Sequence, residues 1–320
     1  MIKMRLFSLL QKSGIYVLME IIFQWITLIF QILIIQRFAN IIARLFTNQL
    51  TSSELIYSAL LIAVCILIKA LLQGQYLNAS YMASVDVKKV IRSEILGKLH
   101  RLGSGYSKYI PTSQISQMMG EGVEQLEIYF GKYISQFVYA ILAPLTLFMY
   151  LYRYSLKAAL VLIAMVPLIP MVIMLVMKIA KKVLDKYFQI YYGLGDTFLE
   201  KLQGMTTLKI YQADESAAQE MDIESERFRR ITMKVLSMQL NSTIIMDVVA
   251  YVGTAMGIII TLHEIMDGSL GLYQGLLFLL LSAEFFLPMR MLGAYFHIGM
   301  NGMKAADRMF EFLDIAEPKE

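Results

Sequence analysis

The chain alternates between long apolar blocks and charged segments that keep a helical spacing. A membrane-crossing helix needs about 20 mostly apolar residues. Six stretches meet that length: Ile15 to Arg37, Leu55 to Leu77, Ile134 to Leu151, Leu156 to Met177, Leu236 to Leu262 and Leu270 to Phe296. The charged segments between them do not read as loops. Ile91, Ile95, Leu99 and Leu102 fall at i, i+4, i+8 and i+11, which is one apolar face of a helix. No proline occurs before Pro111 or between Pro170 and Pro288. From Glu54 to His100 the sequence is helix-compatible throughout. At about 1.5 Å per residue this is a rod of ~70 Å, more than twice a ~30 Å hydrocarbon core. The fourth block runs on through Val183, Phe188 and Phe198, and a charged approach from Glu215 to Lys234 leads into the fifth. The pattern predicts an all-α membrane protein with two helical hairpins that project far beyond the bilayer. Their tips break at Gly103 to Pro111 and at Gln203 to Glu215, where Gly and Pro mark turns.

Lys and Arg set the orientation. With the N-terminus inside, the segment Val85 to Gln117 and the segment Lys178 to Lys234 are cytoplasmic and hold most of the basic residues. The outer loops hold only Arg37, Arg44, Arg153 and Lys157. Both termini are then cytoplasmic, in a multi-pass protein of the cell (inner) membrane. The formal net charge of +4 becomes a topology signal, and no nucleic-acid partner is expected. With 58% hydrophobic and 17% charged residues, an ordinary soluble domain is excluded. The single cysteine, Cys65, forms no internal disulfide and reads as a small buried residue. Residues 1–14 are basic and amphipathic without a cleavage site, which predicts an interfacial (elbow) helix on the membrane surface. The six-helix domain is expected over 15–303, with coupling regions near 103–112 and 204–216, and a linker over 304–320.

Two segments carry a family resemblance. Leu202 to Tyr211, followed by Glu215, resembles the second coupling helix of type I ABC exporters. Lys304 to Asp314 is similar to the linker that precedes their nucleotide-binding domain. A narrower match runs from Gly122 to Phe130 and on through Tyr133, Gln136 and Ala143-Pro144-Leu145. It resembles the thiol-reductant exporter subunits of cytochrome bd assembly, and more nearly their CydD-type half. The resemblance implies the permease domain of an ATP-driven exporter that pairs with a second transmembrane half, as a heterodimer, and moves cysteine or glutathione outward. It also implies ATP with Mg on a nucleotide-binding domain, and an associated role for haem. The implied contacts with that domain are Gly103, Tyr106, Tyr109, Gly204, Leu208, Tyr211 and Asp214. No G-x-x-x-x-G-K-[ST] motif is present, so the chain has no phosphate-cradling loop and no catalytic centre of its own. The expectation is a truncated form of an ATP-hydrolysing translocase, or an ATPase supplied as a separate polypeptide.

Polar groups inside apolar helices are costly and mark candidate sites. On the first span Glu20, Gln24, Thr27 and Gln31 form one stripe. On the fifth, Thr243, Asp247, Tyr251, Thr254 and Thr261 form another. Lys132, Gln136 and Tyr139 line up on the third, Lys69 lies mid-span on the second, and Glu284, Arg290, His297 and Asn301 lie on the sixth. The cavity candidates are Gln24, Gln31, Lys69, Gln136, Asp247, Tyr251, Glu284 and Arg290. The carboxylates would meet an ammonium group and Lys69 or Arg290 a carboxylate, as a zwitterionic small molecule requires. The alternative is internal pairing, with Lys69 bonded to Asp247 or Glu284 as structural glue. His297 has no second histidine at metal spacing, so no metal site is expected. Gly253 and Gly257 allow close helix packing, while Pro144, Pro167, Pro170 and Pro288 are expected to kink their helices. Three competing functions remain: a multidrug or lipid exporter, an ATP-independent channel or carrier, and an assembly scaffold. A carrier should show internal repeats and midplane breaks, which the sequence lacks.

Overall fold

The structure is a computed structural model that describes residues 10–317, with the side chains of 10–12, 104, 177–179 and 297 outside the description. The expected surface helix over 1–14 therefore lies largely outside the described residues. Among the described residues eight α-helices follow in order: α1 (Leu10–Phe46), α2 (Ser52–Leu102), α3 (Thr112–Leu151), α4 (Leu156–Met165), α5 (Leu168–Gln203), α6 (Met205–Ile210), α7 (Asp214–Met266) and α8 (Leu272–Leu313). A 3-10 turn, Gly103–Lys108, joins α2 to α3. Among the described residues six helical stretches are long and apolar enough to cross a membrane, the fourth running from α4 into α5.

The expected rods are present. α2 has 51 residues and α7 has 53, far more than a bilayer requires. The two halves of α2 pack differently. Leu55, Leu60, Leu67 and Leu71 are exposed in the apolar half, whereas Ala83, Val87, Ile91 and Ile95 are buried in the charged half. The charged extension thus continues the apolar core of the bundle. Ile91 and Ile95 pack there with Leu126, Tyr129 and Phe130 of α3 and Phe296, Met309 and Phe312 of α8. Leu99, on the predicted face, packs against that core part-buried. Helices α1, α2, α3 and α8 form one group; α4, α5 and α7 form a second, joined to the first through α8 and α3.

Prolines and π turns shape the helices locally. The fourth span is two helices, because the chain breaks around Val166 and Pro167 between α4 and α5. Pro144 and Pro288 lie inside α3 and α8 without ending them. α3 carries two π turns, Met118–Gly122 and Tyr129–Tyr133, which periodicity did not reveal. A π turn frees carbonyls from the regular ladder, and Ser80 of α2 donates its hydroxyl to one of them, Gly131 O. The predicted close packing at Gly253 and Gly257 is present. A Cβ at Gly253 would stand 2.5 Å from the Phe286 ring of α8, and one at Gly257 would stand 2.3 Å from Leu162 of α4.

Candidate functional site: three intramembrane polar clusters and two tips

The eight cavity candidates do not form one site. They sort into three contact groups, each of which reaches the stretch of α8 from Glu284 to Arg290. Gln31 of α1 donates through Nε2 to Glu284 Oε1 of α8 at 2.9 Å. Its Oε1 accepts from Lys69 Nζ of α2. The amide therefore bridges a cation and an anion. Lys69 reaches Glu284 only through Gln31, and Asp247 is not its partner.

Asp247 pairs with Arg290 instead. The guanidinium meets the carboxylate through two nitrogens, with Nη2 to Oδ2 at 3.2 Å. The Arg290 Cζ lies 6.0 Å from the Tyr251 ring centroid, so the α7 candidates are joined to α8 by a fork and a cation–π contact. In the third group, Gln24 Nε2 donates to Gln136 Oε1 at 3.3 Å, and Gln136 Nε2 donates to the Pro288 carbonyl at 2.8 Å.

The α7 stripe is narrower than the sequence implies. The hydroxyls of Thr243, Thr254 and Thr261 donate to the carbonyls of Gln239, Ala250 and Gly257 on their own helix. Thr27 of α1 does the same with Phe23. Such back-bonding removes these hydroxyls from the cavity. The structure adds two contacts that were not singled out, Ser135 Oγ to Glu20 and Trp25 Nε1 to Thr146 Oγ1 at 3.1 Å. Ser135 was discoverable as the neighbour of Gln136; nothing local announced Trp25. The side chain of His297 lies outside the described residues, and the Asn301 Oδ1 is buried without a partner.

The tip residues lie at the far ends of the extensions. Gly103 caps α2 with φ +58, a conformation that side chains disfavour, and turns the chain into the first tip. There the Tyr106 hydroxyl meets Thr112 Oγ1 at 3.2 Å, and Tyr109 is exposed. Gln114 and Ser113, just beyond, bond Asp196 of α5, with Gln114 Nε2 to Oδ2 at 3.1 Å. The second tip is α6, which follows Gly204 and contains no buried residue. Leu208 is half-buried, Tyr211 is 77% exposed, and Asp214 pairs with Lys209 at 3.3 Å.

Ion pairs stiffen the stems. Lys88 of α2 meets Glu124 at 2.8 Å and Glu127 at 2.6 Å on α3, and Lys304 of α8 meets Asp185 of α5 at 2.5 Å. Past α8, Glu317 meets Arg101 at 2.8 Å and Lys98 at 3.0 Å. The Arg101 and Lys98 hydrogen bonds hold the Glu317 carboxyl below the usual carboxylate range. Among the described residues no group of three or more His, Cys, Asp or Glu is arranged to hold a metal.

Comparison with known proteins places this arrangement. The family model of the ABC transporter transmembrane region matches residues 15–289. An uncharacterized ABC transporter ATP-binding protein of Haemophilus influenzae is 45% identical over 293 residues, 92% of this chain and 52% of that protein. The glutathione/L-cysteine transport system ATP-binding/permease protein CydD of Escherichia coli is 26% identical over 293 residues, 88% of this chain and 50% of that protein. CydC of the corresponding Bacillus subtilis system is 26% identical over 223 residues, 70% of this chain and 39% of that protein. The structure of a bacterial Atm1-family ABC exporter with ATP bound superposes with a TM-score of 0.82 at 11% identity, over 96% of this chain and 55% of that one. The chain spans about half the length of the first of these relatives.

Proposed function

The chain belongs to the ABC transporter transmembrane family, with the exporter fold, and from that premise we propose that it is the permease domain of an ATP-driven exporter of cysteine- or glutathione-type thiols. The observation that carries the cargo is the set of fixed charges between its helices: the Lys69–Gln31–Glu284 bridge and the Arg290–Asp247 fork. An amino-acid thiol brings an ammonium and at least one carboxylate. Each can exchange with one partner of these pairs, which avoids leaving a buried charge alone. A cargo without charged groups offers no such exchange. The names of the CydC and CydD relatives, glutathione/L-cysteine transport proteins, support the same cargo class; a role in cytochrome bd assembly rests on the sequence resemblance alone.

In this reading the basic end of the bundle is cytoplasmic, in the inner membrane, with both termini on that side. A second transmembrane half completes the transporter as a heterodimer. The exposed apolar half of α2, from Leu55 to Leu71, faces lipid or that half. The tips around Gly103, Tyr106 and Tyr109, and around Leu208, Tyr211 and Asp214, contact nucleotide-binding domains. ATP with Mg binds there and not on this chain, and its closure of those domains supplies the driving force. A ligand shifts a conformational equilibrium only by its differential affinity for the two states, so ATP must bind the closed pair better. The stems transmit the motion because α2, α3 and α8 share a packed core along their extensions. For haem, His263 pairs with Asp267 at the far end of α7 and His100 sits in the last turn of α2. Neither described histidine offers the bundle interior an axial ligand, and no step is assigned to haem.

The test is ATPase activity of the full-length transporter and its partner in nanodiscs. Stimulation by glutathione or cysteine, lost in Arg290→Met and Lys69→Met, is the expected result. Stimulation by lipids or hydrophobic compounds alone would move the protein to the multidrug or lipid branch.

A further inference from the structure

The hydrogen-bond chain that begins at Pro288 ends without a donor. The Pro288 carbonyl only accepts, so the group facing it at 2.8 Å is the Gln136 amide nitrogen. That turns Gln136 Oε1 toward Gln24, which answers with its own nitrogen at 3.3 Å. The orientation of both amides is thereby fixed, and Gln24 Oε1 is left buried with no partner. One turn earlier on the same face of α1 stands Glu20, with no exposed surface. Its Oε2 accepts the Ser135 hydroxyl, and its Oε1 has no partner. Two buried acceptors one turn apart lack a donor. The titratable groups that face this place are Tyr76 from α2, whose hydroxyl also meets the Gln24 amide while leaving Oε1 without a partner, and Lys132 from α3. Tyr295 from α8 faces Tyr76 and carries Lys132 Nζ 6.0 Å from its ring centroid. None of them is bonded to Glu20 Oε1.

We propose that Glu20 is a proton-binding site within the membrane layer: in the packed bundle it is a neutral carboxylic acid whose hydroxyl is directed to Gln24 Oε1. One proton satisfies both orphan oxygens. The ionised form would keep Ser135 as its one donor, in a place without exposed surface, and a buried charge so poorly met is the costly case. When the bundle opens and water reaches α1, the O–H bond breaks, its electron pair stays on the carboxylate and the proton passes to water. On closing, Glu20 takes one back. The packed state thus holds one proton more than the opened state. By linkage, acid favours the packed state. The ratio of packed to opened molecules changes about tenfold per pH unit over the range where only the opened state is ionised. The site needs no particular cargo and stands whether or not the thiol assignment does.

The experiment uses the full-length transporter with its partner in nanodiscs. Infrared difference spectra between wild type and Glu20→Gln at neutral pH are expected to show a protonated-carboxyl band that shifts in heavy water and belongs to wild type alone. A carboxylate band in its place overturns the proposal. Spin-label distances between the two tips, nucleotide-free, then give the packed-to-opened ratio across pH. Wild type is expected to approach the tenfold slope. Glu20→Gln, whose amide still donates to Gln24 Oε1 and so preserves the packing, is expected to be flat. Equal slopes in the two proteins, or a wild-type ratio that ignores pH, overturn the linkage.

Discussion

Gln31 is the most informative single position for stability. Its amide satisfies two opposite charges at once, accepting from Lys69 and donating to Glu284 at 2.9 Å. Gln31→Leu keeps nearly the same volume and removes both bonds. A hydrogen bond to a charged group contributes about 1.5–3 kcal/mol, so the pair contributes about 3–6. Lys69 is only half-buried and its long stem can carry the ammonium to water, which reduces the expected loss to about 2–4 kcal/mol. Lys69→Met with Glu284→Gln removes the charges that the amide serves. On that double background Gln31→Leu should cost about 1 kcal/mol or less, because no charge is left stranded. The assay is reversible unfolding of the full-length transporter in mixed micelles by added denaturing detergent, across all the variants. If Gln31→Leu lies within about 0.5 kcal/mol of wild type, or costs the same on both backgrounds, the bridge does not operate and the reasoning fails.

Three further outcomes follow from other parts of the molecule. Gly253→Ala places a methyl 2.5 Å from the Phe286 ring, so α7 must move off α8; a loss of about 1–3 kcal/mol is expected, and unchanged thermal stability would contradict it. Glu317 has a carboxyl pKa depressed by Arg101 and Lys98, so its hold on α2 is complete above the ordinary Glu value of about 4.3 and is lost as pH falls through the lower, folded value. Hydrogen exchange at the end of α8 should therefore quicken in acid, and Glu317→Gln should show the same exchange at neutral pH. At the second tip, Tyr211→Ala alters an exposed side chain and should leave melting unchanged while uncoupling ATP hydrolysis from transport; full coupling would remove Tyr211 from the contact.

The long stems were legible because their evidence is local. The spacing of Ile91, Ile95 and Leu102 and the absence of proline already require a helix with an apolar face, and all three residues are buried. The same holds for Gly253 and Gly257, whose lack of a side chain is itself the signal. Partners within the membrane were not legible. A stripe gives the face of one helix but not the rotation of its neighbour, so the sequence matched Lys69 with a carboxylate by charge alone. The observed partner is a neutral amide that serves Lys69 and Glu284 together, across 253 positions of sequence in the second bond. Threonine was over-read for a related reason. In an apolar layer its hydroxyl finds the carbonyl one turn back on its own helix, as at Thr243 and Thr261, and needs no cavity. The break before α5 was ambiguous because Pro167 and Pro170 are three residues apart and only the first ends a helix.

The most direct measurement is uptake of labelled glutathione and cysteine into inside-out membrane vesicles that contain the full-length protein and its partner. The account predicts uptake that requires ATP hydrolysis and falls sharply when Lys69, Asp247 or Arg290 is neutralised. ATP hydrolysis without thiol uptake, or thiol uptake indifferent to all three substitutions, would contradict it.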